Sequence, residues 1–293
     1  MTLSFADFAA NLTYDDLPEA VLQVMRRSFL DTMGVAAIGS TTEMAQAAHK
    51  GAAAMFGVTQ TGTSRVLMCG TALSPAGAAM AGAFMVDSVD AHDGTSPCKG
   101  HAGSAIFPAL MAVADAEASL GRPVDGKTFA MLLALSYEVS YRAGLAQHAT
   151  CADYHTSGAW TAVGVAVGVA RMLGLSKEQI RHAAGIAEYH GPRSQMMRCI
   201  DFPTMLRDGV GWGAPTGVTA AYLAQAGFTG APALTCEGED EAPFWEDLGT
   251  AWRLVEDTHY KPYPCCRWAH PSVDAVADLM RDHNLHHSQT LRF

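Results

Sequence analysis

From Gly158 to Leu173 the chain reads G-A-W-T-A-V-G-V-A-V-G-V-A-R-M-L, with small residues at Gly158, Ala162, Gly164, Ala166 and Gly168. A helix of this composition has almost no polar face to offer water, and its small residues let neighbouring backbones come close. The same economy of charge runs through all 293 residues, of which 16% are charged and 49% hydrophobic. Many helices must therefore be buried on more than one side, in a multilayer bundle or an oligomer, and a single thin helical layer is not expected. Strand signals are sparse, and there is no internal repeat or low-complexity tract. The expected fold class is all-α, a large multi-helix domain.

Local signals place the helices. Asp15, Asp16, Pro18 and Glu19 open one whose apolar face carries Leu22, Met25, Phe29 and Met33, with Gly34 and Gly39 expected at close contacts. A second covers 43–56, and residues 57–73 read as an exposed turn with a short extended piece. A helix over 75–92 follows, then one from a Ser104 cap to Leu120 stopped by Gly121, and one over 127–147. Gly174 ends the 158–173 helix, and Ser176 to Gln179 is a capping box. A helix over 208–226 tolerates Pro215. Residues 228–257 read as an exposed acidic loop anchored by Trp245 and Trp252, and a last helix begins at Pro271-Ser272.

Net charge is −10 with no basic run, which argues against nucleic acid and anionic membrane surfaces as partners. The seven cysteines have no repeated spacing and read as reduced thiols of a cytoplasmic protein. The vicinal Cys265-Cys266 pair reads as buried thiol. The uncharged window from Val66 to Val86 is long enough to span a bilayer, but its Ala, Gly and Met content reads as a buried helix of a soluble protein. The N-terminus lacks the basic-then-apolar pattern of a signal peptide.

The densest chemistry lies in D87-S-V-D-A-H-D-G-T-S-P-C-K-G-H-A-G103. On a helix over 75–92, Asp87, Asp90 and Asp93 would share one face, where like charges repel unless solvated or countered. The block reads either as a solvated helix end or as a metal site built on Asp90, His92, Asp93 and His101, although no recognised ligand spacing is present. Other helix-end loops offer His155, Arg207, and Lys261 with His270. Such a set suits a small polyanion: cations clamp carboxylates and a histidine moves a proton at the adjacent carbon. Gly209-Val-Gly211-Trp-Gly213 lacks the Lys-Ser/Thr of a phosphate loop, and no G-x-S-x-G elbow occurs.

Several of these segments together resemble the MmgE/PrpD family: L30-D-T-M-G-V-A-A-I-G39, D90-A-H-D-G-T-S-P-C-K-G-H101-A-G-S-A-I-F-P108, Tyr154-His155, M205-L-R-D-G-V-G-W-G-A214, A224-Q-A-G-F-T-G230 and K261-P-Y-P-C-C-R-W-A-H270. The resemblance implies a helical domain, joined in full-length members to an α+β domain, with the active site between them and dimerisation through helices. Residues 1–285 would be that helical domain and 286–293 the start of a truncated second one, with Thr290–Phe293 entering a strand. It also implies chemistry without cofactor or metal at carbons next to carboxylates. Carried over by motif, Asp90, Thr95, His101, His155 and Lys261 match active-site positions. Cys266 stands where the family's decarboxylase has histidine, and Arg207 where many members have lysine; arginine keeps the charge but does not serve as a base.

The expectation is a cofactor-free lyase of a di- or tricarboxylic acid, of the 2-methylcitrate dehydratase kind, working as a homodimer. His101 and His155 would be acid and base, with Asp90 and Lys261 completing the catalytic set. Thr95, Lys99, Arg207, Cys266 and His270 would bind substrate. An epimerase of the same family and a non-catalytic helical dimerisation module are the alternatives.

Overall fold

Five short polar side chains fix where helices begin. Ser4, Thr42, Ser74, Asp125 and Ser176 each accept the backbone N–H three residues on, satisfying a donor that the first turn leaves free. They start α1 (Phe5–Asn11), α3 (Glu43–Met55), α4 (Pro75–Asp87), α6 (Gly126–Thr150) and α8 (Lys177–His190). Ser176 and Gln179 form the expected reciprocal capping box. The remaining long helices are α2 (Glu19–Gly39), α5 (Gly103–Ser119), α7 (Gly158–Met172), α10 (Val210–Gln225) and α13 (His270–Asp282). Short turns of helix, α9 (Met197–Asp201), α11 (Leu234–Glu237) and α12 (Arg253–Asp257), lie in the connections. Residues 4–286 are described by the structure, a computed structural model. The expected strand at Thr290–Phe293, and His287, lie outside the described residues.

Helix α7 is buried along almost its whole length and packs against α6, α8 and α10, while α10 also packs on α4, which in turn meets α3 and α5. This is the multilayer bundle that the low charge content requires. Close approach depends on glycine: a Cβ on Gly213 of α10 would stand 2.6 Å from the carbonyl oxygen of Gly158 and 2.8 Å from its Cα. Among the described residues the only strands are two antiparallel pairs of two residues each. β1 (Ser64–Arg65) pairs with β2 (Ala72–Leu73), and β3 (Gly94–Thr95) pairs with β4 (Thr258–His259), with Gly94 opposite His259 and Thr95 opposite Thr258.

Several local expectations are corrected. Helix α4 stops at Asp87, five residues early, and Asp90 takes φ +51, so the three-carboxylate ladder does not form. Helix α5 starts at Gly103 behind Ala102, and Ser104 is fully buried within it instead of capping it. On α2 the buried stripe runs through Leu22, Met25, Ser28, Thr32 and Val35, leaving Phe29 39% exposed. Gly39 packs against the backbone of Met85, but Gly34 meets nothing. The Val66–Val86 window holds a turn, the short strand β2 and most of α4, and no helix among the described residues is long and apolar enough to cross a membrane. Cys265 is half-buried and Cys266 exposed.

Residues 234–257 are tied down more firmly than a loop. Trp245 and Trp252 are buried against Phe5 and Phe8, at ring separations of 6.0 and 5.7 Å. Arg142 of α6, fully buried, donates to Glu138 at 2.7 Å, to Asp247 at 2.6 Å, and to the carbonyls of Phe244 and Ala251. Glu138 also accepts the amides of Arg253 and Leu254, so no charge in the group is left uncompensated. This knot delivers β4, and with it Lys261, to the end of the bundle where β3 waits.

Candidate active site

The β3–β4 pair joins two segments more than 150 residues apart, and the chemistry collects around it. Beyond β4, the ammonium of Lys261 donates to the backbone carbonyl of Asp90 at 2.8 Å and also bonds its carboxylate. The Lys261 side chain is fully buried and that of Asp90 is 19% exposed. Burial alone would raise the Asp90 pKa, but the charge of Lys261 foremost outweighs it and the group is held below its ordinary value, ionised. The same bond explains why α4 ends early: Asp90 leaves the helical conformation to present two oxygens to one cation.

His101 sits just before α5. Its Nδ1 lies 2.8 Å from the backbone carbonyl oxygen of Asp93, an atom that only accepts, so Nδ1 carries the hydrogen and Nε2 the lone pair. Nε2 faces the carboxylates of Asp208 at 3.6 Å and Asp90 at 3.9 Å. Burial, and after it the neighbouring His92, push the His101 pKa down to about 4. His92 is fully buried, packs its ring 4.4 Å from that of His101, and approaches Asp87 at 3.2 Å. Burial, followed by the charge of Lys261, lowers His92 to about 4. In the other direction, burial and then Asp90 raise Asp87 to about 7, and burial raises Asp208 to about 6 despite the adjacent His101. Two neutral imidazoles and one firmly ionised carboxylate therefore share a dry corner.

This corner opens into a cavity of about 430 Å³ whose lining includes Asp90, Thr95, Lys99, His101, Arg207 and Cys266. Six of the residues singled out in the sequence thus meet. Lys261 lies beneath, against Asp90. His155 is outside the lining; its Nδ1 donates to the carbonyl of Asp153 at 2.7 Å, and the neighbouring Tyr154 lines the cavity instead. His270 is also outside it and buried, with Nε2 donating to the carbonyl of Cys265 at 3.1 Å. Its Nδ1 then accepts from Arg267 at 3.2 Å, and Arg267 lines the cavity.

Sequence reasoning gave no role to Asp208, His259, Arg267 or Tyr154, although Arg267 stands with Lys261 and His270 in a second dense polar cluster. Each is adjacent, or nearly so, to a residue it singled out: Asp208 follows Arg207, His259 precedes Lys261 by two, Arg267 follows Cys266, and Tyr154 precedes His155. The missing signal is orientation, which depends on backbone pairings such as Gly94 with His259 and Thr156 N–H with the Ser194 carbonyl. A larger groove of about 890 Å³, walled by α2, α5 and α6, is mainly apolar, and its Arg65 and Asp115 neutralise each other.

Asp90, His92 and His101 place one ligand atom each within 4.8 Å of one another, the donor chemistry of a divalent cation site. The positive charge beside Asp90 is here an ammonium, that of Lys261. As it stands, the arrangement offers a neutral imidazole lone pair backed by an ionised carboxylate, facing a cavity bordered by the cations Lys99, Arg207 and Arg267.

Comparison with known proteins bears on this geometry. Residues 3–242 match the MmgE/PrpD N-terminal domain. The chain belongs to the MmgE/PrpD family. Cis-aconitate decarboxylase of Aspergillus terreus (strain NIH 2624 / FGSC A1156) is 24% identical over 301 residues, covering 96% of this chain and 60% of the fungal protein. Human cis-aconitate decarboxylase is 27% identical over 299 residues, covering 96% and 60%, and the mouse protein 25% over 306 residues, covering 96% and 59%. The chain thus spans about 60% of the length of these MmgE/PrpD relatives.

Proposed function

We propose that this chain is a lyase of a small di- or tricarboxylic acid, with His101 moving a proton at the carbon beside a carboxylate. The observation that carries the reading is the orientation of His101: Nδ1 donates to the Asp93 carbonyl, leaving the Nε2 lone pair among Asp90, Asp208 and the cavity. A pKa near 4 makes His101 a base at neutral pH and a poor source of protons before reaction. That favours loss of water, of the 2-methylcitrate dehydratase kind, as the first reading. Nε2 takes the proton from carbon, the C–H pair becomes the new C=C bond, and the hydroxyl on the neighbouring carbon leaves as water with the proton that the His101 imidazolium then gives up. Arg267 holds a carboxylate, Arg207 and Lys99 hold carboxylates and the developing enolate-like charge, and ionised Asp90 offsets the imidazolium.

Decarboxylation is the second reading, favoured by the likeness to the cis-aconitate decarboxylases. There the C–C bond to a carboxylate breaks, CO2 departs, and the carbon left behind takes up a proton. The test is ¹H NMR in deuterated water of the 293-residue chain with 2-methylcitrate, cis-aconitate and iminodisuccinate. Alkene growth from 2-methylcitrate supports dehydration; CO2 release with deuterium at carbon transfers the assignment to decarboxylation. Exchange without alkene makes the protein an epimerase. No turnover and no exchange with any of the three contradicts the proposal and leaves a helical module without catalysis.

A further inference from the structure

The hydrogen bond that sets His101 runs to a backbone carbonyl, and the side chain of the residue owning that carbonyl is itself clamped. Asp93 is fully buried. Its Oδ2 accepts from the hydroxyl of Tyr137 at 2.7 Å, and its Oδ1 accepts the backbone amide of Gly103 at 3.2 Å. Its own amide donates to Asp31 at 2.8 Å. Gly103 is the first residue of α5, two beyond His101, so one carboxylate ties together both ends of the 93–103 loop. The clamp needs a bare α-carbon there: a Cβ on Gly103 would fall 2.7 Å from Asp93 Oδ1 and 2.9 Å from Thr32 Oγ1, and closer still to the Tyr137 hydroxyl.

Tyr137 comes from the middle of α6, is fully buried, and is not among the residues that line the cavity. The helix anchored through Arg142 to the 242–257 segment is thus the same helix that holds Asp93, one turn earlier. The Gly103 amide and the Tyr137 hydroxyl, with the Ser28 hydroxyl beside them, hold the carboxylate, and the Asp93 amide bonded to Asp31 holds the backbone, so that side chain and peptide are constrained together. The Asp93 carbonyl also lies 3.4 Å from Nδ1 of His92, so both imidazoles are read against it.

We propose that Tyr137 and Asp93 are positioning residues for His101: by clamping the 93–103 loop they hold the Asp93 carbonyl where it selects the Nδ1–H tautomer and keeps the Nε2 lone pair toward the cavity. The proposal rests on the reading of His101 as the proton-transfer group, but its structural content is independent of turnover. A loop held only by packing would let the imidazole exchange tautomers, as a free imidazole does, and divide its lone pair between productive and unproductive nitrogens.

The experiment is ¹⁵N-detected histidine NMR of the full chain at pH 7, with His101 assigned by comparison with His101→Gln. The wild type should show a protonated Nδ1 and an unprotonated Nε2 at His101; the reverse pattern overturns the proposal without any variant. In Tyr137→Phe, whose fold is checked by far-UV circular dichroism, the His101 nitrogen shifts should move toward averaged values. Under the proposed reaction kcat should fall about tenfold with KM within about twofold, part of the 10²–10⁴ that a positioned base supplies. Nitrogen shifts identical to wild type in a folded Tyr137→Phe overturn the role of Tyr137. If the tautomer result holds but the wild type turns over no polycarboxylate, the positioning stands and the assigned function fails instead.

Discussion

Lys261 and Asp90 are bonded twice, through the carbonyl and through the carboxylate of Asp90, across 171 positions of sequence. The pair sets the conformation of Asp90 and keeps a negative charge beside His101 in a place that burial would otherwise neutralise. Removing the cation leaves a mostly buried carboxylate alone, which typically costs about 3–5 kcal/mol. Lys261→Met should lower the unfolding free energy by about 3 kcal/mol at pH 7, measured by urea denaturation. Because the Asp90 pKa is depressed in the fold, its stabilisation is present above the unfolded value and lost as pH falls through the folded one. The gap between wild type and variant should therefore shrink on acidification.

Asp87 titrates the other way. Its folded pKa is raised to about 7, by burial and then by Asp90, so the fold binds its proton more tightly than the unfolded chain does. Its contribution is fully present below the unfolded carboxylate pKa and declines as pH rises toward 7. Asp87→Asn keeps a donor for Nε2 of His92, 3.2 Å away, without the charge. The stability of this variant relative to wild type should grow from pH 5 to pH 8 in paired urea melts. A difference that is flat with pH would show that Asp87 is ionised in the fold throughout.

Gly158 begins α7 where the chain passes the Asp208 loop, with its amide donating to the Asp208 carbonyl at 2.8 Å. A Cβ there would overlap the Gly209 carbonyl and come within 2.8 Å of the Pro192 ring. Gly158→Ala should lower stability by about 1–3 kcal/mol, seen as a drop in Tm, because backbone rather than a flexible side chain must move.

Arg267 is held by His270 and lines the cavity, the arrangement of a carboxylate clamp. Under the proposed reaction, Arg267→Met should raise KM for a tricarboxylate about ten- to hundredfold with little change in kcat, the 1.5–3 kcal/mol of a charged hydrogen bond. Steady-state kinetics with tricarboxylate and dicarboxylate substrates check this, and an unchanged KM places Arg267 outside the binding set. His270 then acts through Arg267 and not by touching substrate.

Much of the bundle was legible because helix signals are local. Ser176 with Gln179, Ser74 before Pro75 and the glycines at 121 and 174 act within a turn of where they stand. The end of α4 was not legible: the apolar run and the three aspartates continue a helical period past Asp87, and what overrides it is Lys261, brought in by the Arg142 knot. Cys266 is exposed for the same non-local reason, since its loop forms the cavity rim. Polar clustering at helix ends, with the family resemblance, brought out Asp90, Thr95, Lys99, His101 and Arg207, which do meet, but gave no direction to the side chains. Tyr154 and His155 adjoin, and which of them faces the cavity is decided by the pairing of residues 154–156 with 194–196.

In the proposed reaction Nε2 of His101 exchanges a proton with the substrate carbon. That step is tested most directly by following deuterium incorporation from deuterated water into a bound di- or tricarboxylate, comparing the wild type with His101→Gln, which keeps hydrogen-bonding capacity but no basic nitrogen. Exchange is expected in the wild type at pH 7, with a loss of at least about a hundredfold in the variant. Equal exchange rates in the two folded proteins would contradict it.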